Sequence, residues 1–356
     1  MKPRVLLVGR TRYALPLSEP LARRFDALRA QLEVRVLAAG DGRDETFHLV
    51  RELPAVDGLA FYASLPFRIA RELRSFHPDA VLAQSPYEGA AALAARRLVG
   101  ASTPVVVDVH GDPRTFTRLY GSRARRALSP LGDALARRTI RRADAVRTVS
   151  PFTTRIVREL GVEPADEFPA FMDLGAFAGE PQPLAGEPQA LFVGVLERYK
   201  GIDVLLRAWD RVPAGTLRVV GNGSLSGLVA QSHKVEWSRF LAPEQVAQAL
   251  DESWCLVLPS RSEGMGRVLV ESFCRGRAVV GTRVGSIPDL VRNGENGLLV
   301  PADDDVALAE ALSRLLGDRA LAERLGATAR ASAELWLQTP EQWAARTRAL
   351  VERVLR

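Results

Sequence analysis

Short apolar segments alternate with amphipathic helical stretches along the chain, and this alternation restricts the possible folds more than any other feature of the sequence. In the first half the apolar segments are residues 4–9, 34–40, 79–86, 104–112 and 144–151. The helical patterns cover residues 18–30, 66–76, 89–99, 122–142 and 151–160. Continuous apolar strands separated by helices are typical of a parallel sheet covered on both faces. The first half is therefore predicted to be a doubly wound α/β unit.

The alternation is interrupted once, at residues 168–190, where four prolines and three glycines fall within 23 residues. Such a composition is typical of an interdomain linker. A second series of apolar segments follows, at residues 190–196, 216–223, 235–241, 254–260, 278–282 and 296–301, and the later helical patterns are 303–316, 318–334 and 339–356. We predict two doubly wound domains in tandem, at residues 1–175 and 176–338. Ligands of such sheets bind beyond the carboxyl ends of the strands, so a cleft between the domains is the expected site.

Composition places the chain among soluble globular proteins. Its 356 residues suit two domains that each bury their own core. The net charge of +6 lies in the first half, because residues 1–185 hold 27 Lys and Arg against 21 Asp and Glu. Two cysteines in apolar surroundings, Cys255 and Cys274, indicate buried thiols rather than disulfides. No apolar run is long enough to span a bilayer, and the start lacks a signal-peptide cleavage site. We therefore expect a cytoplasmic protein.

The stretch PSRSEGMGRVLVESF, residues 259–273, places two glutamates, Glu263 and Glu271, eight positions apart. It follows a predicted strand, and Gly264 and Gly266 allow a tight turn into the next helix. The start of a helix favours an anion such as a phosphate. Glu271, about a turn and a half into the helix, is suited to accept hydrogen bonds from a ribose diol. Carboxylates on both sides of a phosphate site indicate a nucleotide diphosphate sugar.

These motifs resemble those of the retaining GT-B glycosyltransferases of family-4 type, which carry a Glu-x7-Glu motif. The resemblance covers residues 190–330 and is looser over 79–160; the stretches that carry it are SEGMGRVLVESFCRGRAVVGTRVGSIPDLV, LFVGVLERYKGIDVLLRAW, LRVVGNGSL and NGENGLLVPADD. It implies a GT-B fold of two Rossmann-like domains, with the acceptor bound by the first and the donor by the second. It also implies that the last helix, 339–356, crosses back to the first domain.

The same resemblance implies an activity. A sugar would move from a nucleotide diphosphate sugar to a hydroxyl acceptor, with retention of configuration. The expected acceptors are glycans, glycolipids or other cell-envelope precursors, some of them lipid-linked. No cofactor is expected beyond the donor substrate itself.

The resemblance also implies roles for single residues. Lys200 would neutralise the departing diphosphate, Glu263 would bind the donor sugar, and Glu271 would bind the ribose. His110 would lie against the donor sugar from the first domain, which makes His110, Lys200 and Glu263 the expected catalytic set. The other donor-binding residues implied are Gly194, Asn222, Arg239, Phe240, Gly264, Met265, Gly266 and Arg267. The acceptor side would include Gly9, Arg10 and Arg12.

Two positions depart from the family pattern. Val195 stands where the family commonly has an arginine that binds the diphosphate, and a single glycine, Gly9, stands where a glycine pair is common in the acceptor-side loop. We hypothesise that another arginine supplies the missing charge, with Arg267 favoured over Arg198, Arg10 and Arg12.

Several other classes of function are not favoured. No Asp-x-Asp pair follows a strand in the second half, so no catalytic metal is expected, and the acidic run at 303–305 is interpreted as a helix cap. A dinucleotide-binding Gly-x-Gly-x-x-Gly is absent. Two alternatives stay open: a nucleotide-sugar epimerase of GT-B fold, and an inert sugar-nucleotide binder, which Val195 would suit.

The predicted helix at 122–142 carries seven arginines. It is interpreted either as a solvated face or as a surface that contacts an anionic membrane from the cytoplasmic side. Nucleic acid is not expected as a partner, because aromatic side chains do not lie between the arginines.

Overall fold

The structure, a computed structural model, describes residues 1–51, 57–113, 129–232 and 234–356. The chain forms two compact units, each built around one parallel sheet. Of the described residues, 1–113, 129–171 and 338–356 form the first unit, and 172–337 form the second. The last segment of the chain thus belongs to the first unit.

Seven parallel strands form the sheet of the first unit: β1 (Arg4–Ala14), β2 (Glu33–Asp41), β3 (Phe47–Val50), β4 (Ala80–Ala83), β5 (Val105–Val109), β6 (Ala145–Thr148) and β7 (Asp166–Glu167). Their order is β3-β2-β1-β4-β5-β6-β7. The sheet therefore grows outward in both directions from β1 and β4, as in doubly wound folds. The described helices are α1 (Glu19–Gln31), α2 (Asp57–Ser75), α3 (Pro86–Val99), α4 (Ser129–Arg142), α5 (Pro151–Glu159) and α13 (Pro340–Val354).

Helices cover both faces of this first sheet. On one face, α1 packs against α13, and Phe25 and Leu28 share a buried hydrophobic cluster with Trp343 and Leu350. On the other face, α2, α3 and α4 pack side by side. Burial on both faces explains why the strands are continuous apolar runs in the sequence.

Six parallel strands form the sheet of the second unit: β8 (Gln189–Val193), β9 (Thr216–Val220), β10 (Val235–Ser238), β11 (Cys255–Leu258), β12 (Ala278–Thr282) and β13 (Gly297–Val300). Their order is β10-β9-β8-β11-β12-β13. The helices are α6 (Ile202–Trp209), α7 (Ser226–Ala230), α8 (Pro243–Asp251), α9 (Arg267–Cys274), α10 (Ile287–Leu290), α11 (Asp305–Leu316) and α12 (Arg319–Ala333).

Two hydrophobic clusters fill the second unit, and each holds one of the two cysteines. Both thiols are free and buried. Burial raises the pKa of Cys274 and raises that of Cys255 to about 12, which keeps the thiols protonated and unreactive.

Some elements differ from their predicted bounds for local reasons. β1 continues to Ala14 instead of ending at residue 9, because its pairing with β2 shifts after Val8 and resumes at Arg12. α2 begins well before the predicted residue 66, since Phe61, Leu65 and Ile69 are buried at helical spacing across Pro66. β3 and β7 were not predicted, because four and two residues are too few for a clear pattern.

The predicted basic helix at 122–142 falls partly outside the described residues, and its described part is α4. Across the described residues, we find no helix with the length and apolar content that a membrane span requires.

Candidate active site

Four loops of the second unit leave the same edge of its sheet. They follow β8, β9, β10 and β11, which are neighbours in the sheet. Because these strands are parallel, their carboxyl ends lie together, and this is where open α/β sheets bind ligands. Every residue predicted to bind the donor lies in one of these loops or in α9, which follows β11.

Lys200 is held in the loop after β8 by a contact between two stretches of backbone. It ends a short 3₁₀ turn, and Gly201 follows with a φ of 71°. A Cβ atom at Gly201 would lie 1.9 Å from the carbonyl oxygen of Pro259, so only glycine fits. Across this contact, Lys200 Nζ lies 2.5 Å from Oε2 of Glu263. The two side chains are only 13% and 12% exposed, which limits screening of their attraction by water.

Glu263 lies at the N-terminus of α9. Its Oε1 accepts a hydrogen bond of 3.3 Å from the backbone N–H of Gly266, the residue that precedes α9 with a φ of 64°. The backbone N–H of Ser286 donates to the carbonyl oxygen of Glu263 at 3.0 Å and fixes the loop from its other side. Free N–H groups and the helix dipole attract negative charge at this end of a helix. An anionic ligand here would meet both these groups and Lys200.

Glu271 forms a second ion pair, which lies within α9. Its Oε1 accepts from Nε of Arg267 at 2.7 Å, one turn earlier. Glu271 is buried, whereas the Arg267 side chain is 54% exposed. Arg267, which we favoured as the substitute for the missing arginine, is thus paired with Glu271, which was predicted to bind the ribose. Val195, at the position where the family commonly has an arginine, is exposed.

Hydrogen bonds join the loops after β8 and β9. Gly194 donates its N–H to the carbonyl of Val220 at 2.9 Å, and Leu196 donates to the carbonyl of Asn222 at 3.0 Å. The side chain of Asn222 accepts from Ser226 at 2.8 Å. These bonds hold the two loops together at the carboxyl edge of the sheet.

The loop after β10 offers an aromatic surface. The guanidinium of Arg239 lies 5.3 Å from the ring centre of Trp237, and Phe240 is 80% exposed. Trp237 donates from Nε1 to the carbonyl of Gly221 at 2.9 Å, which holds its ring in place. An exposed aromatic ring and a stacked cation are suited to a flat heteroaromatic group such as a base.

One residue at this edge was missed by sequence reasoning. Arg261, two residues before Glu263, binds both Asp203 and Asp303 with its guanidinium. Its location inside the motif is the one signal in the sequence that pointed to it.

The three residues predicted for the acceptor side were expected in a loop after the first strand, but they do not lie in such a loop. Gly9, Arg10 and Arg12 lie within β1, at the irregular segment where the pairing with β2 shifts. The side chain of Gln84 fills the space beside Gly9, where a Cβ atom would lie 2.0 Å from its Oε1. Gly9 is therefore closely packed, and the segment expected to be a loop is part of the strand.

His110 follows β5, at the carboxyl edge of the first sheet. Its side chain is 41% exposed, and its Nε2 lies 3.7 Å from Oδ2 of Asp108. Asp108 accepts two hydrogen bonds from Arg147, at 2.9 and 2.7 Å. Burial alone would raise the pKa of Asp108, but the charges and hydrogen bonds of Arg147 and His110 together outweigh it and keep the pKa below its usual value. The role of His110 beside a donor sugar stays a prediction.

The acidic run at 303–305 divides into three separate roles. Asp304 caps α11 by accepting from the N–H of Ala307 at 2.9 Å, which confirms the predicted helix cap. Asp303 pairs with Arg261, and Asp305 pairs with Arg211. The described ranges contain no group of three or more His, Cys, Asp or Glu side chains arranged to hold a metal ion.

Comparisons with known proteins agree with the two-unit architecture. Residues 9–168 match the family model of the glycosyl transferase 4-like domain, and residues 187–318 match that of glycosyl transferases group 1. A curated relative, the D-inositol 3-phosphate glycosyltransferase of Corynebacterium diphtheriae, is 34% identical over 155 residues, which cover 39% of this chain and 36% of the relative. The enzyme of the same name from Streptomyces griseus is 37% identical over 164 residues, or 40% and 35% of the two chains. The matched segment thus spans about a third of these relatives.

Solved structures are similar over nearly the whole chain. Sucrose-phosphate synthase from Thermosynechococcus elongatus superposes with a TM-score of 0.80, 20% identity and 99% coverage of both chains. Anabaena HepE in complex with UDP-glucose gives a TM-score of 0.71 and 17% identity, covering 97% of this chain and 98% of the other. These similarities, at low identity, concern the fold. The predicted GT-B class, with two doubly wound parallel sheets, is confirmed.

Proposed function

The chain is built from a glycosyl transferase 4-like domain and a glycosyl transferases group 1 domain, and from that premise we propose that it is a retaining glycosyltransferase. It transfers a sugar from a nucleotide diphosphate sugar to a hydroxyl acceptor. The second unit binds the donor and the first binds the acceptor. One observation carries the proposal: at the carboxyl edge of the second sheet, Glu263 contacts both Lys200 and the backbone N–H of Gly266 at the start of α9.

Each part of this cluster suits one part of a donor. Lys200 and the free N–H groups of α9 attract the diphosphate. Glu263 accepts hydrogen bonds from sugar hydroxyls once Lys200 turns to the phosphates. Glu271 accepts from the ribose diol, and the exposed loop with Arg239 and Phe240 meets the base.

The proposed reaction is a same-face substitution at the anomeric carbon. The bond from that carbon to the diphosphate oxygen breaks, and the acceptor oxygen bonds on the same face. The acceptor proton passes to the departing diphosphate. Catalysis then depends on positioning and on stabilising the charge of the leaving group, which Lys200 and the start of α9 supply without a metal ion.

Known relatives suggest the first substrates to test. A solved structure of HepE holds UDP-glucose, and the curated relatives are named for D-inositol 3-phosphate. UDP-glucose is therefore the first donor, followed by other nucleotide sugars. Inositol phosphate is the first acceptor, followed by glycans and lipid-linked sugars.

The test is product analysis in the presence of EDTA. Each donor is incubated with each acceptor, and the anomeric configuration of the product is read by NMR. The proposal expects a glycoside with the donor's configuration at an undiminished rate in EDTA. An inverted product or a requirement for divalent metal contradicts the mechanism. An epimer formed from donor alone, or binding without release of nucleoside diphosphate, supports one of the two alternative functions instead.

We further propose that α4 contacts an anionic membrane. Leu131, Leu135, Arg138 and Arg142 are exposed and recur at helical spacing along one side of α4. Apolar and basic side chains on one exposed helix face are typical of interfacial binding. Co-sedimentation with anionic but not neutral vesicles is expected below about 0.1 M salt, and equal partitioning to both types contradicts it.

A further inference from the structure

Arg261 makes an unusual number of contacts for one side chain. Its guanidinium donates two hydrogen bonds to the carboxylate of Asp203, both 2.8 Å long, and one of 2.6 Å to Asp303. It also donates to the carbonyl oxygen of Arg198. Its backbone N–H donates to the carbonyl of Tyr199 at 2.7 Å. The side chain is only 13% exposed.

These contacts join three loops at the carboxyl edge of the second sheet. Arg198 and Tyr199 belong to the turn that ends in Lys200, and Asp203 lies in the first turn of α6. Asp303 belongs to the loop after β13 and has a φ of 63°, which asparagine and aspartate tolerate best among side-chain-bearing residues. Arg261 itself precedes Glu263 by two residues.

The charges of Arg261 and Asp203 stabilise these contacts. Burial alone would raise the pKa of Asp203, but the hydrogen bonds and charge of Arg261 hold it below its ordinary value. The same contacts raise the pKa of Arg261, so both groups stay charged at neutral pH. A planar guanidinium can bind one carboxylate with two donors and still reach a second acceptor, which a lysine ammonium cannot do in the same geometry.

We propose that Arg261 is a positioning residue that sets the place of Lys200 relative to Glu263 for binding of the donor diphosphate. It acts through the turn 198–200 and does not touch the substrate. This proposal rests on the proposed function for the role of Lys200. The inference goes beyond the proposed function because it names Arg261 as the side chain on which the role of Lys200 depends.

The first measurement is the affinity for a nucleoside diphosphate in a double-mutant cycle. Arg261→Gln is expected to weaken binding by about tenfold, as for loss of one well-placed charge-assisted contact. In a Lys200→Met background the same change should weaken binding by less than about twofold, because the contact it positions is already gone. Arg261→Lys should restore only part of the affinity.

Arg275 provides a matched control. It is a buried arginine that pairs with Asp251 at 2.5 Å and donates to the carbonyls of Gly179 and Glu180, away from the loops above. Arg275→Gln should cost stability but leave the affinity unchanged. If it lowers the affinity as much as Arg261→Gln, or if Arg261→Gln has the same effect with and without Lys200, the positioning role is wrong. Should Arg261→Gln not fold, Asp303→Asn removes only the exposed arm and should give a smaller loss in the same assay.

A second measurement separates this proposal from the proposed function. The chain has three lysines, so the Cε signals of ¹³C-labelled lysine can be resolved by NMR, with Lys2 and Lys234 as internal references. Arg261→Gln should shift the Lys200 signal alone. If the Lys200 signal shifts but the protein binds no nucleoside diphosphate, the positioning role of Arg261 is supported and the proposed function is contradicted. If the Lys200 signal does not move, the positioning role of Arg261 is contradicted, whatever the protein binds.

Discussion

At the scale of single residues, both glutamates of the motif already have a cationic partner. Lys200 pairs with Glu263 and Arg267 pairs with Glu271. In the proposed function, a donor that binds here must therefore replace existing ion pairs rather than bind to unpaired charges. A buried carboxylate left alone is costly, so the hydroxyls of the ligand must replace the cation that leaves. We therefore expect the complete nucleotide sugar to bind more tightly than the nucleoside diphosphate, because only the sugar offers hydroxyls to Glu263.

Glu271→Gln is expected to weaken nucleotide binding by about 1–3 kcal/mol, since an ionised acceptor of two ribose hydrogen bonds becomes neutral. The loss should appear with a nucleoside diphosphate but not with inorganic pyrophosphate, which has no ribose. Calorimetric titration with both ligands measures it. Glu310→Gln, an exposed position on α11, serves as the control. Equal losses for both ligands would speak against the ribose role.

At the scale of elements, the apolar pattern predicted most strands well because the parallel strands are buried on both faces. It predicted β12 at its observed bounds, 278–282. It failed for β1 beyond residue 9, where the pairing with β2 shifts and then resumes at Arg12. The loops predicted to bind the donor could be singled out in the sequence because their glycines and glutamates occur in the order typical of the family they resemble. Arg261 was not identified, since its role depends on Asp203 and Asp303, 58 and 42 positions away.

The start of α9 depends on Gly266. Its φ of 64° is unfavourable for alanine, and a Cβ atom would lie 2.7 Å from Cδ1 of Leu269. Gly266→Ala is expected to lower the free energy of unfolding by more than the roughly 1–2 kcal/mol that a left-handed alanine costs by itself. Urea unfolding of the second unit measures it. Gly294→Ala is the control, with a φ of 83° and open space around its Cβ. Equal losses for the two variants would show that the Leu269 contact relaxes freely.

At the scale of the whole molecule, the first unit is completed by the end of the chain. The last helix, α13, contributes Trp343, Ala344, Leu350 and Val351 to the core that α1 and β1 form. The core of the first unit is thus completed by residues that follow the second unit in the sequence. A doubly wound fold of two units followed from the alternation of strands and helices, whereas this return of the chain followed only from the family resemblance.

Leu350→Ala is expected to destabilise the first unit by about 2–5 kcal/mol, as for a fully buried leucine. Amide exchange in β1 and β2 should accelerate, while exchange in the second sheet should not change. Leu355→Ala, at an exposed position of the same segment, should shift stability by less than about 0.5 kcal/mol. Unaltered exchange in β1 after Leu350→Ala would contradict the role of α13.

Acid should destabilise the molecule through Asp108 and Asp203. Despite burial, Arg147 and His110 hold the pKa of Asp108 below its usual range, and Arg261 does the same for Asp203. Their contribution to stability is therefore complete above about pH 4 and is lost as the pH falls further. The unfolding free energy should decline below about pH 4. Asp203→Asn should lower stability at pH 7 but make the decline shallower. An equally steep decline in that variant would remove Asp203 from the explanation.

The central claim is that the carboxyl edge of the second sheet binds the diphosphate of a nucleotide sugar through Lys200. The most direct test is calorimetric titration of the wild type with a panel of nucleoside diphosphates in EDTA, repeated for Lys200→Met. Lys234→Met is the control, since that lysine is exposed and pairs with Asp210 at 3.5 Å. We predict that at least one nucleoside diphosphate binds, that Lys200→Met weakens it about tenfold or more, and that Lys234→Met leaves it unchanged. Failure of the whole panel to bind, or equal affinity of the wild type and Lys200→Met, would contradict the account.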